Sequence, residues 1–269
     1  MLVEFTKMNG AGNDFVLIDN RARKWKPDSR QIARICDRHA GVGGDGLILL
    51  LPCASGRADW AWDFYNSDGG SAEMCGNGAR CFARFVRRLT GAKNDITFET
   101  SAGIITASFQ GERVTVSLTP PKDFRLHQAI AVRGGNVTVH SVDTGVPHAV
   151  IYVPDADQAM VASLGAEIRG HAHFAPRGTN VNFVELRGAG ALRVRTYERG
   201  VEGETLACGT GVTAAALISA ELHKLVSPVR VQVRGGDWLE VSFEKKDGQF
   251  ANVRLTGPAD FVFEGKIVV

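Results

Sequence analysis

The chain repeats itself at about half its length. Cys75-Gly76-Asn77-Gly78 returns 133 positions later as Cys208-Gly209-Thr210-Gly211. Ser108-Phe109 returns as Ser242-Phe243 after 134 positions, and Val116-Ser117-Leu118-Thr119-Pro120-Pro121-Lys122-Asp123-Phe124 returns as Val253-Arg254-Leu255-Thr256-Gly257-Pro258-Ala259-Asp260-Phe261 after 137. Matches in one order at near-constant spacing mark a duplicated unit, which limits the fold to two similar halves. In a chain of 269 residues each half is large enough to bury its own core.

Short β-branched runs bounded by Gly, Asn or Pro read as strands at Val3–Phe5, Phe15–Asp19, Leu47–Leu51, Ile96–Thr100, Gly103–Phe109 and Arg113–Leu118. The second half offers Ala149–Val153, Val181–Leu186, Leu192–Tyr197, Val229–Val233, Leu239–Phe243 and Asn252–Leu255. Apolar periodicity predicts helices over 28–38, 76–90, 155–169 and 209–224. Many strands against few helices indicate the α+β class: mixed, largely antiparallel sheets with a helix packed on each. Pro120-Pro121 is the expected joint, since prolines stiffen a chain and interrupt sheet pairing. The expected domains are 1–119, joined by the tail 259–269 that symmetry sends back, and 120–258.

A formal charge of +2 gives no reason to expect nucleic acid or an anionic membrane as partner. The basic run Arg84-Phe85-Val86-Arg87-Arg88 falls at a helix end, where cations complement the dipole. No signal peptide or membrane-length apolar run is evident, and the five cysteines are an odd, sparse set. A reducing compartment, the cytoplasm, is expected.

The two cysteine turns carry the chemistry. Glycines after each cysteine let backbone approach a ligand, and each turn opens a helix whose first N–H groups attract an anion. Such a terminus is worth about 0.3–2 kcal/mol to an anion. That suffices to move a cysteine at neutral pH from a small thiolate fraction towards half. Either turn alone reads equally well as an ordinary helix cap with a small buried thiol. A pair at equivalent places in a repeat suggests one thiol on each side of a substrate carbon. Cys81, among Ala79, Phe82 and Ala83, reads as core, and Cys36 and Cys53 carry no motif.

Metal binding is not expected: there is no Cys-x-x-Cys or His-Glu-x-x-His, and His171-Ala172-His173 reads as a surface turn. Gly41-Val42-Gly43-Gly44-Asp45-Gly46 matches Gly-x-Gly-x-x-Gly formally. A helix precedes it and a strand follows, the reverse of a dinucleotide site, so it reads as a tight turn. Asn9–Asp14, Tyr65–Asp68, Gly178–Asn182 and Glu198–Gly200 are either plain turns or pocket lining. Carboxamides donate and accept, which suits a ligand with ammonium and carboxylate groups. His148, after Gly145-Val146-Pro147, is either structural or a group that orients or deprotonates a thiol.

These residues resemble the diaminopimelate epimerases, members of a cofactor-independent racemase and epimerase superfamily. The similarity runs nearly end to end. It is carried by Asn9-Gly10-Ala11-Gly12-Asn13-Asp14-Phe15, Glu73-Met74-Cys75-Gly76-Asn77-Gly78-Ala79-Arg80-Cys81, Gly145-Val146-Pro147-His148, Gly178-Thr179-Asn180-Val181-Asn182-Phe183, Tyr197-Glu198-Arg199-Gly200 and Glu204-Thr205-Leu206-Ala207-Cys208-Gly209-Thr210-Gly211. The resemblance implies two pseudo-symmetric domains, each a mostly antiparallel sheet wrapped around a central helix, usually in a homodimer. It implies interconversion of LL- and meso-diaminopimelate without a cofactor, for lysine and cell-wall synthesis. Cys75 and Cys208 would be the acid/base pair, with His148 and Glu198 tuning or orienting them. Asn13, Asn66, Asn180, Glu198 and Arg199 would hold the substrate, with Gly76, Asn77, Gly209 and Thr210 on its α-carboxylate. Many relatives carry Asn where this chain has Val146, and some carry Gln in place of Gly46; both positions touch substrate in such relatives.

The paired thiols lead to a two-base mechanism, one cysteine removing the α-proton and the other delivering a proton to the opposite face. They make pyridoxal phosphate unnecessary, although spacing alone does not decide against it. Rival readings are a racemase of another amino acid such as proline, a thiol–disulfide redox protein, and a non-catalytic amino-acid binder.

Overall fold

The computed structural model describes residues 1–72 and 74–269, the side chain of Ala189 excepted. Glu73, part of the first cysteine motif, therefore lies outside the described residues. The chain divides into two compact units, Met1–Ser117 with Gly257–Val269, and Leu118–Thr256. Along the first come β1 (Leu2–Gly10), β2 (Asn13–Asp19), α1 (Ser29–Cys36), β3 (Gly46–Pro52), β4 (Trp60–Asn66), α2 (Gly76–Thr90), β5 (Ile96–Thr100), β6 (Gly103–Gln110) and β7 (Arg113–Ser117). Next are β8 (Lys122–Val132), β9 (Gly135–Asp143), β10 (Pro147–Tyr152), α3 (Val161–Arg169), β11 (Asn180–Arg187), β12 (Ala191–Glu198) and β13 (Gly203–Thr205). The chain ends with α4 (Gly209–His223), β14 (Val229–Val233), β15 (Trp238–Lys246), β16 (Gln249–Gly257) and β17 (Asp260–Val268).

The strands of the first unit run in the order β17-β1-β2-β3-β4-β5-β6-β7, antiparallel except at β2–β3 and β4–β5. Those of the second run β8-β9-β10-β11-β12-β14-β15-β16, antiparallel except at β10–β11 and β12–β14, with the short β13 also against β12. The two patterns are the same. A parallel neighbour needs a crossover, and each unit supplies it with a helix: α1 and α2 in the first, α3 and α4 in the second. Here β17 stands beside β1 as β8 stands beside β9, so the last strand completes the first unit. The fold is α+β, in two domains of matching topology.

The apolar run Leu47–Leu51 follows from this placement. β3 is buried on both faces: Leu47 and Leu49 pack with Ile32 and Ile35 of α1, while Ile48 lies against the start of α2 at Gly78. α1 begins at a capping box, in which Asp28 Oδ1 accepts from the Gln31 N–H at 2.8 Å and Gln31 Oε1 from the Asp28 N–H at 3.1 Å. Helix α2 packs against β1, β2, β3 and β7, and α4 against β9, β10, β11, β12, β14 and β15. α4 is apolar nearly all round, as expected of a helix enclosed by sheet. The basic run at the end of α2 is put to packing. Arg84 donates to the Ala259 carbonyl at 2.7 Å, and the Arg87 and Arg88 guanidiniums each lie 4.5 Å from a ring centroid, those of Phe109 and Phe261.

Several expectations need correction. α1 covers 29–36 rather than 28–38, because the Asp37 carboxylate takes the His39 and Ala40 N–H groups into a turn. α3 begins at Val161, not 155. Asp155 accepts from the Asp157 N–H at 2.8 Å, a local bond that competes with a helix, and Glu185 of β11 accepts from the Ala156 N–H at 3.1 Å. β4, β8, β9, β13 and β17 were not anticipated. β8 carries two bulges and positive φ at Asp123 and His127, which erase the two-residue alternation. β17 is largely exposed, so it has no apolar face to read. β1 continues to Gly10, so Asn9-Gly10 ends a strand.

Phe98 is fully buried, with ring centroids 4.7 Å from Phe82 and 5.4 Å from Trp62. Phe98→Ala should destabilise the protein by about 3–5 kcal/mol. Urea unfolding followed by tryptophan fluorescence measures this, and a loss under about 1 kcal/mol would contradict that packing.

Candidate active site

In the first unit Cys75 is the N-cap of α2. Its backbone is extended (φ −141°, ψ 119°) and its Sγ accepts from the Gly78 N–H at 3.5 Å. Gly76 and Asn77 follow in the first turn, both buried. The Asn77 amide donates to Asn13 Oδ1 at 2.5 Å, and Asn13 donates in turn to Asp45 Oδ2 at 2.9 Å. Arg80, fully buried, grips the same turn: it donates to the Gly76 carbonyl at 3.2 Å and to Asn77 Oδ1 at 2.9 Å. Its Nε donates to the Pro258 carbonyl at 3.1 Å.

Behind Asn13 lies a charged group that sequence reasoning did not pick out. Asp14 pairs with Lys7 at 2.8 Å and with Arg38 at 2.7 Å, and Arg38 reaches Asp45 at 2.9 Å. Lys7 is buried and also donates to the Gly43 carbonyl. Burial opposes ionisation of Asp14, but hydrogen bonds and charge from Arg38 and Lys7 hold it at about 2. The segment 41–46 is a helix-to-strand turn whose Asp45 serves this group. Asn66 ends β4, exposed, its backbone closing a turn with Gly69 and Gly70. At Gly46, opposite Asn66, a Cβ would lie 2.6 Å from the Tyr65 carbonyl oxygen and 2.8 Å from Phe64. The glutamine of some relatives has no room there in this chain. Cys36 and Cys81 are buried thiols, each pushed up to about 12 by burial.

In the second unit Cys208 is the N-cap of α4 (φ −119°, ψ 108°), with its Sγ 3.5 Å from Thr210 Oγ1. The Thr210 carbonyl accepts from Thr144 Oγ1 at 2.9 Å, and Gly209 from Thr213 Oγ1 at 2.9 Å. β10 and β11 set His148 opposite Asn180. Asn180 donates to the Pro147 carbonyl at 3.1 Å and accepts from the Arg199 N–H at 2.9 Å. The Arg199 side chain donates to the Arg177 carbonyl at 3.1 Å, and Glu198 accepts from Thr205 Oγ1 at 2.5 Å. Val146 is half-buried and its carbonyl accepts from the Thr144 N–H at 3.2 Å. His148 is fully buried and lines a cavity of about 160 Å³ with Asp143, Pro147, Arg177 and Thr179. Its Nδ1 lies 3.2 Å from Asn182 Nδ2, and its Nε2 has no partner among the described residues. Burial, with a smaller contribution from Arg199, pulls His148 down to about 3, so the ring is neutral near pH 7.

Two helix starts thus emerge. In the first unit Cys75, Gly76 and Asn77 share a helix start that Asn13 holds, and in the second Cys208, Gly209 and Thr210 share another. His148 and Asn180 are register partners on β10 and β11, Glu198 ends β12 and Arg199 lies in the turn after it. His171 caps a 3₁₀ turn, Ala172–Phe174, that contains His173, and His171 accepts from the His173 N–H at 3.1 Å. Among the described residues no group of three or more His, Cys, Asp or Glu could hold a metal ion. Likewise no helix is long and apolar enough to cross a membrane.

The family model for diaminopimelate epimerase matches residues 5–123 and 140–262. The chain belongs to the diaminopimelate epimerase family. It is 44% identical to the diaminopimelate epimerase of Aquifex aeolicus over 98% of both chains. It is 43% identical to that of Chlorobaculum tepidum, over 97% of this chain and all of the relative. Among solved structures, a probable proline racemase from Agrobacterium radiobacter superposes with a TM-score of 0.75 at 17% identity, over 99% of this chain and 93% of that one. A phenazine biosynthesis protein of the PhzF family from Bacillus anthracis gives 0.76 at 15%, over the whole of both chains. These two share the fold.

The neutral state of His148 has a consequence for stability. Its pKa falls from 6.5 to about 3 on folding, so between those values the unfolded chain binds more protons. The contribution is intact above pH 6.5 and is lost as the pH falls towards 3. His148→Gln, which does not titrate, should flatten the acid limb of the stability curve between those limits. Urea midpoints measured through that range test this, and a limb as steep as wild type would assign the effect elsewhere.

Proposed function

We propose that this chain interconverts LL- and meso-diaminopimelate by two-base proton transfer at the α-carbon, with Cys75 and Cys208 as the two bases. The observation that supports this most is that each cysteine caps the enclosed helix at the equivalent place in two matching units. Membership of the diaminopimelate epimerase family names the substrate.

One cysteine, as thiolate, takes the α-proton, and the other, as thiol, gives a proton to the opposite face. In the reverse direction they exchange roles. As the carbanion forms, charge builds on the α-carboxylate. The helix starts at Gly76-Asn77 and Gly209-Thr210 are the groups we assign to stabilise it. One thiol is ionised at a time, because a second negative charge nearby raises its partner's pKa. Asn13, Asn66, Asn180, Glu198 and Arg199 bind the ammonium and carboxylate groups, and His148 and Glu198 tune or orient the thiols. No cofactor takes part in this scheme. The setting we propose is a cytoplasmic homodimer serving lysine and peptidoglycan-precursor synthesis.

In deuterated water, wild type given LL-diaminopimelate should place solvent deuterium at the inverted carbon, and free proline should not compete. Cys75→Ser and Cys208→Ser should each lose epimerisation by at least about 10²-fold. Full activity in either variant would remove the two-base assignment. Binding without any proton exchange in wild type would leave an amino-acid binder.

A further inference from the structure

His148 and its neighbour Asn182 form an arrangement that decides what the histidine can do. Asn182 is fully buried on β11, two residues after Asn180 and therefore on the same face. Its Nδ2 lies 2.9 Å from the Ala149 carbonyl oxygen and 3.2 Å from His148 Nδ1. Its Oδ1 accepts from Thr196 Oγ1 at 3.0 Å. A carbonyl can only accept, so the atom facing Ala149 must be the nitrogen. A flipped amide would set two acceptor oxygens against each other in a buried place. The second Nδ2 hydrogen then belongs to His148 Nδ1. Burial keeps the ring neutral, so its single hydrogen sits on Nε2, the buried atom with no partner among the described residues. Asn182 is also pinned from the other side, since a Cβ at Gly211 in the first turn of α4 would come within 2.3 Å of its Oδ1.

We propose that Asn182 is a positioning residue that locks His148 as the Nε2–H tautomer, so that His148 can only donate through Nε2 and is not a base that deprotonates a thiol. This rests on the epimerase reading above and narrows it. The proton traffic belongs to the two cysteines, while the imidazole keeps one protonation state through the cycle. The alternating pattern Asn180-Val181-Asn182 then has two functions on one face, the first asparagine holding the Arg199 turn and the second setting the histidine.

The test is a multiple-bond ¹H–¹⁵N correlation spectrum of protein labelled at histidine, with His148 assigned by the signal missing from His148→Gln. Wild type should give the neutral Nε2–H pattern at neutral pH. The Nδ1–H pattern, or an imidazolium, would overturn the proposal. Asn182→Asp keeps the shape but cannot donate to Nδ1, so it should convert His148 to the Nδ1–H or imidazolium form. It should lower kcat on the order of 10²-fold, the loss expected for one aimed donor, with KM within about threefold. An unchanged tautomer, or an altered tautomer with unchanged kcat, would refute the role. Since wild type alone reports the tautomer, a variant that does not fold leaves the test intact. If the cysteine variants kept full turnover, the epimerase mechanism would fall whatever the spectrum showed. An Nδ1–H spectrum alongside inactive cysteine variants would overturn the histidine assignment alone.

Discussion

A helix enclosed by a sheet offers a ligand its N-terminus, and that constraint organises both units. α2 and α4 are buried along most of their length, so their side chains are committed to packing. What each retains for chemistry is a first turn whose N–H groups its own ladder does not use. A cysteine at the N-cap puts its thiol beside that partial positive charge. The strands around each helix then have one shared task, holding a turn of glycine and small polar residues in place.

The two units solve that task with different polar groups. In the first, Asn77 is held by Asn13 and Arg80, and Asn13 by Asp45, which belongs to an ion-paired group with Lys7, Asp14 and Arg38. In the second, the strand face opposite α4 carries neutral groups, His148, Asn182 and Thr196, joined by hydrogen bonds. A buried polar atom left without a partner costs about 1–3 kcal/mol, so such groups hold one arrangement and resist rotation. Shared topology has therefore been kept while the surroundings of the two cysteines have diverged.

Much of the fold could be read from the chain because its signals were local. The helices over 76–90 and 209–223 are marked by a cysteine-glycine start and apolar periodicity, and a left-handed Gly91 ends the first. The run Leu47–Leu51 announced a strand through its unbroken apolarity, and pairing with β2 and β4 explains it. Where local and tertiary demands diverge, reading failed. β8 is a strand because β9 pairs with it through two bulges, and its own residues show no alternation. β17 is a strand because β1 provides an edge. The site residues divide in the same way. Cysteines in glycine turns are visible in one dimension, whereas Lys7, Arg38 and Asp45 acquire meaning when distant segments meet at Asp14 and Asn13.

By itself the sequence determined the duplication, the α+β class, the two cysteine caps and the family, because these depend on residue order within short windows or on likeness along the whole chain. Tertiary structure decided that the tail, which symmetry already sends back to the first unit, forms a strand there, since it needs β1 as its partner. It also decided the state of His148. Nothing in Pro147-His148-Ala149 says whether that ring is charged or which nitrogen holds the hydrogen. Burial removes the charge, and the Asn182 amide, fixed by the Ala149 carbonyl and Thr196, assigns the hydrogen to Nε2.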